Sequence, residues 1–318
     1  MTPAGGAIRV FFERLGDYRE PELSRTVSEL LADSGFAPGP GTKVLVKPNL
    51  VAPYNTGLAC TDAAVVRAAC MYLIDLGARV ALGDSPAFAT GKIVAGRAGI
   101  VAAVKGLPVE FAGFRRVTRI PLPHGGHAGV AADALEADLI LNLPKFKAHD
   151  QMRLTLGVKN YFGCLVGFRK ALAHRVHGDC MERFASLILE LMRALPPSHT
   201  LLDGIVAMHV SGPASGKAYP AHMLAASASA VALDTAIYSK FGLTPDDVPL
   251  WREALRRNLP GSAPGETVFP RLTPDDFDLR GFILPSELSE LTFRPGRLIK
   301  GRLKSLYLRL TGGESAKD

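Results

Sequence analysis

The stretch Leu139 to Gly167, LILNLPKFKAHDQMRLTLGVKNYFGCLVG, concentrates the side chains best suited to chemistry. Lys145, Lys147 and His149 leave the end of an apolar run, and Lys159 and Asn160 follow within one short excursion. Ammonium groups so placed bind carboxylate or phosphate. Desolvated, they drop in pKa and act as bases or Schiff-base nucleophiles. His149 is the candidate acid, base or hydrogen-bond donor.

Three further apolar runs also end in polar residues. They give Lys47 and Asn49, Asp84 and Ser85, and Asp203 followed by Gly204. In open parallel sheets, ligands bind outside the carboxyl ends of the strands, so neighbouring strands would bring these groups to one cationic rim. Strand ends also meet solvent and need polar residues for that reason alone. On the first reading Lys145, Lys147, His149, Lys159 and Asp203 are the catalytic candidates. Lys47, Asn49, Asp84, Ser85, Asn160, His174, Gly204 and His209 are the ligand-binding candidates. Asp84 and Asp203 are counter-ions for the lysines, or one of them is a general base.

Other patterns carry less. In HRVHGDC, His174 and His177 share one side of a helix, but Gly178 ends it before Cys180, so no metal site is expected. The pair His124 and His127 in HGGH is loop-borne. The glycine run Val210 to Gly216, VSGPASG, could wrap a phosphate with its amides. Neither G-x-x-x-x-G-K-[ST] nor a helix-opening G-x-G-x-x-G is present, so an ordinary nucleotide fold is unsupported.

The elements that must position these residues follow from periodicity. Ile8 to Glu13 reads as a strand, Glu20 to Phe36 as a helix and Lys43 to Val51 as a buried strand with polar end. Thr61-Asp62 starts a helix that Gly77 stops, and Arg79 to Gly83 is the next strand. This is a βαβ unit, and it predicts parallel pairing. Gly91 to Val104 is expected to be one helix, with short strands at Val109 to Phe111 and Val117 to Leu122. After the strand Asp138 to Pro144 the chain is expected to run irregularly to about His177. Then come the helix Met181 to Leu195, strands at His199 to Leu202 and Met223 to Ala226, and helices at Ala230 to Phe241 and Val248 to Asn258. Phe282 to Pro285 is a last strand candidate. The expected class is α/β: a mostly parallel central sheet with helices on both faces in Rossmann-like layers, with room for a smaller α/β subdomain. We read residues 1–290 as one domain and 291–318 as a basic amphipathic tail.

Of the +7 formal charges, all but one are accounted for by Arg294, Arg297, Lys300, Arg302, Lys304 and Arg309, in an acid-free tail between Thr292 and Gly313. The body is nearly neutral, and no nucleic-acid partner is expected. Ile299, Leu303, Leu306 and Leu310 share a face of that tail, which suits an anionic membrane surface, an acidic protein, or packing on the body. With 47% hydrophobic residues a core is assured. No run approaches the roughly 18 apolar residues of a membrane span, nor is there a secretory signal, so a cytoplasmic location is expected. Oligomeric state is not legible.

Taken together, the motifs resemble the bacterial and archaeal family called domain of unknown function 362. The resemblance rests on KPNLV at Lys47 to Val51, TDAAVVRAA, LGDSP at Leu82 to Pro86, and ADLILNLPKFKAH at Ala137 to His149. It continues through TLGVKNYFG at Thr155 to Gly163, LLDGIVAM at Leu201 to Met208, SGPASG and AVALD at Ala230 to Asp234. Some members of that family carry ferredoxin-like cysteine clusters. Cys60, Cys70, Cys164 and Cys180 form no C-x-x-C pair here, so an iron-sulfur cofactor has no motif behind it and the cofactor is open. Members often have an acid where this chain has His209. The arrangement is also similar to the amino-terminal domain of nickel-pincer lactate racemases, as a fold-level analogy.

Two functions follow. One is an enzyme acting on a small anionic metabolite, with redox chemistry favoured by the family's fusions to electron-carrier modules and isomerase or lyase chemistry also open. The other is a non-catalytic cofactor-binding or electron-transfer partner related to the iron-sulfur members.

Overall fold

A computed structural model describes residues 7–122, 125–166 and 181–288. The strand Lys43–Pro48 lies at its centre, with Val44 and Val46 packed into one core and Leu45 into another. A strand buried on both faces needs neighbours on both edges. Arg79–Leu82 and Leu139–Leu143 supply them, both parallel. Val109–Phe111 extends the parallel array beyond Arg79–Leu82, and Ser198–His209 extends it beyond Leu139–Leu143. Lys217–Ser227 then folds back antiparallel on Ser198–His209, and Phe11–Arg14 pairs antiparallel with that return strand. The result is a mixed α/β fold with a mostly parallel central sheet.

Helices cover both faces. Leu23, Val27 and Leu30 of the helix Glu22–Asp33, with Val66 and Leu73 of Ala63–Asp75, pack on Val44, Val46, Leu141 and Leu143. On the other face Phe184, Ile188 and Leu191 of Met181–Ala194 meet Leu45 and Ile140. Leu233 and Ile237 of Ala230–Lys240 meet Phe146 and Leu202 there. The Asp62 side chain caps Ala63–Asp75 by accepting from the Ala64 amide at 2.8 Å, and Gly77, at φ +75°, ends it.

Several expectations need correction. The single helix expected over Gly91 to Val104 is two, Gly91–Arg97 and Ile100–Ala103, broken by Gly99 at φ +77°. The segment after Pro144 is ordered as the strand Lys145–His149, its hairpin partner Arg153–Thr155 and a short helix Gly157–Asn160. Proline donates no amide, but its carbonyl accepts from the Asp203 amide at 2.9 Å, so pairing with Ser198–His209 continues past it. Ser198–His209 is itself 12 residues long, and the glycine run Val210 to Gly216 is the turn that joins it to Lys217–Ser227. Phe282 to Pro285 forms no strand. His124, His174, His177, Cys180 and the tail 292–313 lie outside the described residues.

Candidate functional site

Alternation along the strand sets the site. Leu141 and Leu143 face the core under Glu22–Asp33 and Ala63–Asp75, and Lys145 and Lys147 continue that face beyond the last pairing with Lys43–Pro48, while still pairing parallel with Ser198–His209. Phe146 and Ala148 point the other way, into the apolar cluster with Leu202, Leu233 and Ile237. Two ammonium groups therefore enter the interior, where a bare charge is costly.

Lys145 is neutralised. Its Nζ lies 2.8 Å from Asp203 Oδ2 and donates to the Tyr18 hydroxyl at 2.9 Å. Tyr18 in turn donates to Asp203 Oδ1 at 2.9 Å and accepts from the Val206 amide at 3.1 Å. The Asp62 amide donates to Asp203 Oδ2 at 2.8 Å. Both carboxylate oxygens are thus held, as a buried ion pair requires. Burial above all, and next the Asp203 charge, push the Tyr18 hydroxyl far above its ordinary range. Tyr18 stays a donor.

Lys147 has a different environment. Its Nζ donates to the Ala59 carbonyl at 2.7 Å, a neutral acceptor. Around it, Ala59, Met208 and Ala214 form a small apolar cluster with Val51 and Leu58. Burial pushes Lys147 down to about 7, with the positive charges of Lys145 and Lys47 acting in the same direction. The Cys60 thiol, also buried, is pushed up by burial while Lys147 pulls it back. An amine and a thiol, both disposed to be neutral, thus neighbour each other at the sheet end.

The third cation lies on the opposite face of the sheet. Lys47 Nζ pairs with Asp84 Oδ1 at 2.9 Å, and Asp84 Oδ2 accepts from the Leu50 amide at 2.7 Å. Gly163 lies directly over this pair, and a Cβ there would overlap both charged groups. The Gly163 carbonyl takes the Ser85 amide at 3.1 Å. Beside it runs a row of carboxamides: Asn49 donates to Asn160 Oδ1 at 2.9 Å, and Asn160 to Asn142 Oδ1 at 2.8 Å. Asn142 donates to the Gly157 carbonyl at 3.0 Å.

Of the residues singled out from sequence, Lys47, Asn49, Asp84, Ser85, Lys145, Lys147, Asn160 and Asp203 gather at the carboxyl end of the parallel strands. His149 is buried two residues beyond Lys147 and accepts the Gln151 amide at Nδ1, 3.1 Å away. Lys159 turns elsewhere, its Nζ 4.5 Å from the Phe162 ring centroid and 5.6 Å from that of Phe184. Gly204 sits at the pairing irregularity of the long strand and lets Phe146 and the Met223 carbonyl approach. His209 lies among Tyr219 and Phe282 and accepts the Ile283 amide at 3.2 Å. The glycine turn packs over the strand bearing the lysines: Gly212 abuts the Ala148 carbonyl, and its amide donates to Asp150 at 2.9 Å.

Sequence reasoning missed Tyr18, Thr61, Asn142 and the linking role of Asp62. Thr61 Oγ1 accepts the Asn49 amide at 2.8 Å and donates to the Leu143 carbonyl at 2.6 Å. Asn142, a polar residue inside the apolar run LILNLP, carried a readable signal, whereas Tyr18 carried none. Asp234 holds the start of Gly157–Asn160 through the Gly157 and Val158 amides at 2.8 and 2.9 Å, and burial pushes it up to about 8. Among the described residues no group of three or more His, Cys, Asp or Glu is arranged to hold a metal. No described helix is long and apolar enough to cross a membrane.

Residues 44–239 match the family described as "Domain of unknown function (DUF362)". A thylakoid-associated protein of Synechocystis sp. is 34% identical over 289 residues, covering 90% of this chain and 89% of that protein. Among solved structures, a protein from Thermotoga maritima aligns with a TM-score of 0.41 and 15% identity over 62% of this chain. The lactate racemase apoprotein from Thermoanaerobacterium thermosaccharolyticum aligns with a TM-score of 0.41 and 16% identity over 72% of this chain. The chain spans about half the length of these two structures, 53% and 55%.

Proposed function

The chain belongs to the family described as domain of unknown function 362, and we propose that it is an enzyme in which Lys147 works as a neutral amine on a small anionic metabolite. One observation carries this reading: a wholly buried lysine that donates to a carbonyl and is pushed down to about 7. A lysine with that pKa is half unprotonated at neutral pH. It is poised to take a proton beside a carbonyl or to add to the carbonyl itself. Lys145 and Lys47, each already neutralised by a carboxylate, fix the geometry around it. An arriving carboxylate or phosphate would raise the Lys147 pKa, so ligand and proton bind together.

Native mass spectrometry of freshly purified protein tests the reading. A carboxylate or phosphate of low mass is expected in the wild type and absent from Lys147→Met with an unchanged circular dichroism spectrum. Retention by both, or by neither, counts against it. A brown preparation containing iron would favour the cofactor-binding, electron-transfer reading instead.

The thylakoid association of the Synechocystis relative supports a second element, peripheral attachment through the basic tail. Flotation with phosphatidylglycerol vesicles should recover the full chain and leave behind one cut before Thr292. Equal recovery would dismiss it.

A further inference from the structure

We propose that Asn49 is a specificity residue whose Oδ1 accepts a hydrogen bond from the ligand, so that the site selects a hydroxy acid over its deoxy counterpart. The inference rests on the anion-site reading above and adds the chemistry of the neighbouring group.

The orientation of the three carboxamides is fixed by backbone carbonyls, which only accept. Asn142 must present its NH2 to the Gly157 carbonyl, 3.0 Å away, which turns its oxygen towards Asn160. Asn160 must present its NH2 there and to the Lys47 carbonyl at 3.3 Å, which turns its own oxygen towards Asn49. Asn49 then has no choice but to donate, at 2.9 Å. Its Oδ1 is left at the open end of the row, shielded from solvent and without a partner among the described residues. A shielded acceptor left unsatisfied is unfavourable, and a donor arriving with the ligand relieves that cost.

The acceptor is also tied to the reactive amine. Asn49 is clamped to Thr61 at both its amide, 2.8 Å from Thr61 Oγ1, and its carbonyl, 3.1 Å from the Thr61 amide. Two residues earlier the Ala59 carbonyl holds Lys147. One short segment, Ala59 to Thr61, therefore sets the spacing between the amine and the acceptor.

Calorimetric titration of the full chain with pairs that differ only in hydroxyl groups tests this: malate against succinate, glycerate against propionate, citrate against tricarballylate. At least one hydroxy acid is expected to bind at least about 10-fold more tightly than its partner. Asn49→Leu should abolish that preference while still binding the deoxy acid. Equal affinities within every pair, or a preference that survives in Asn49→Leu, would overturn the inference and leave the anion site standing. Binding of none of the six would instead remove the anion site, and this inference with it. If Asn49→Leu does not fold, the wild-type preference alone decides.

Discussion

Lys145 and Lys147 stand two residues apart on one strand face, and both are essentially unexposed, at 0% and 1%. One is bound to Asp203 and Tyr18; the other, among the described residues, donates to the Ala59 carbonyl and pairs with no carboxylate. The same residue type, at the same depth, is thus a structural cation in one position and a titratable amine in the next. Burial alone does not decide which of the two a lysine becomes. What matters is whether a carboxylate arrives with it.

The sharpest way to break this contrast is to exchange each lysine for methionine. Lys147→Met should cut turnover at least about 1,000-fold while leaving the thermal midpoint at pH 7 unchanged or raised, because it deletes a desolvated amine. Lys145→Met should leave Asp203 buried without its cation and destabilise the fold by about 3–5 kcal/mol, read by urea denaturation. Equal losses of stability in the two variants would erase the distinction.

Next in size is Gly163→Ala. The added methyl would push into Lys47 and Asp84, and we expect a loss of about 1–3 kcal/mol in the same assay. The Lys47–Asp84 pair would thereby be shown to need its glycine cover.

The pH dependence sharpens the comparison further. Lys147 is pushed down to about 7 from 10.5, so between those values the unfolded chain holds more protons than the folded one. Its contribution is a penalty, fully present below about pH 7, that fades as pH rises towards 10. Lys147→Met should flatten that rise, measured as the difference in urea midpoint between pH 7 and 9. Asp234, pushed up to about 8 from 3.8, works with the opposite sign: its contribution falls as pH rises from about 4 to 8.

The smallest effect is expected for Tyr18→Phe. Loss of its hydroxyl removes one bond each from Lys145, Asp203 and the Val206 amide, for about 1–2 kcal/mol in urea. Lys147-dependent turnover should change far less than in Lys147→Met.

Strand identity and parallel pairing were legible because VLV, RVAL and LILNL are short, largely apolar runs between turn residues, joined by a helix of crossover length; the order of the strands was not. The polar ends of those runs were legible too. What escaped was their burial. A strand reading KFKAH has lysines at alternate positions, which by pattern alone look like the wet side of a strand or a loop. They lie inside because Asp203 and the Ala59 carbonyl, from distant segments, replace water. Pairing was hidden for the same reason: no local pattern says which carboxylate meets which lysine. Lys159, identical in type and close in sequence, lies over aromatic rings instead.

The Lys145–Asp203–Tyr18 knot also has a consequence for the order in which the protein assembles. Its members are 58 and 185 residues apart, and Asp62 joins from a third region. Contacts of such long sequence separation are among the last to form, since loop closure must precede them. On the ribosome, Lys145 and Lys147 emerge before Asp203 and well before Lys217–Ser227, which completes that side of the sheet. Until then both lysines remain hydrated, and Lys147 keeps the ordinary, high pKa of an exposed amine. The low pKa of Lys147 is therefore a late event, and recovery of its titration near pH 7 during refolding would report the final step of native assembly.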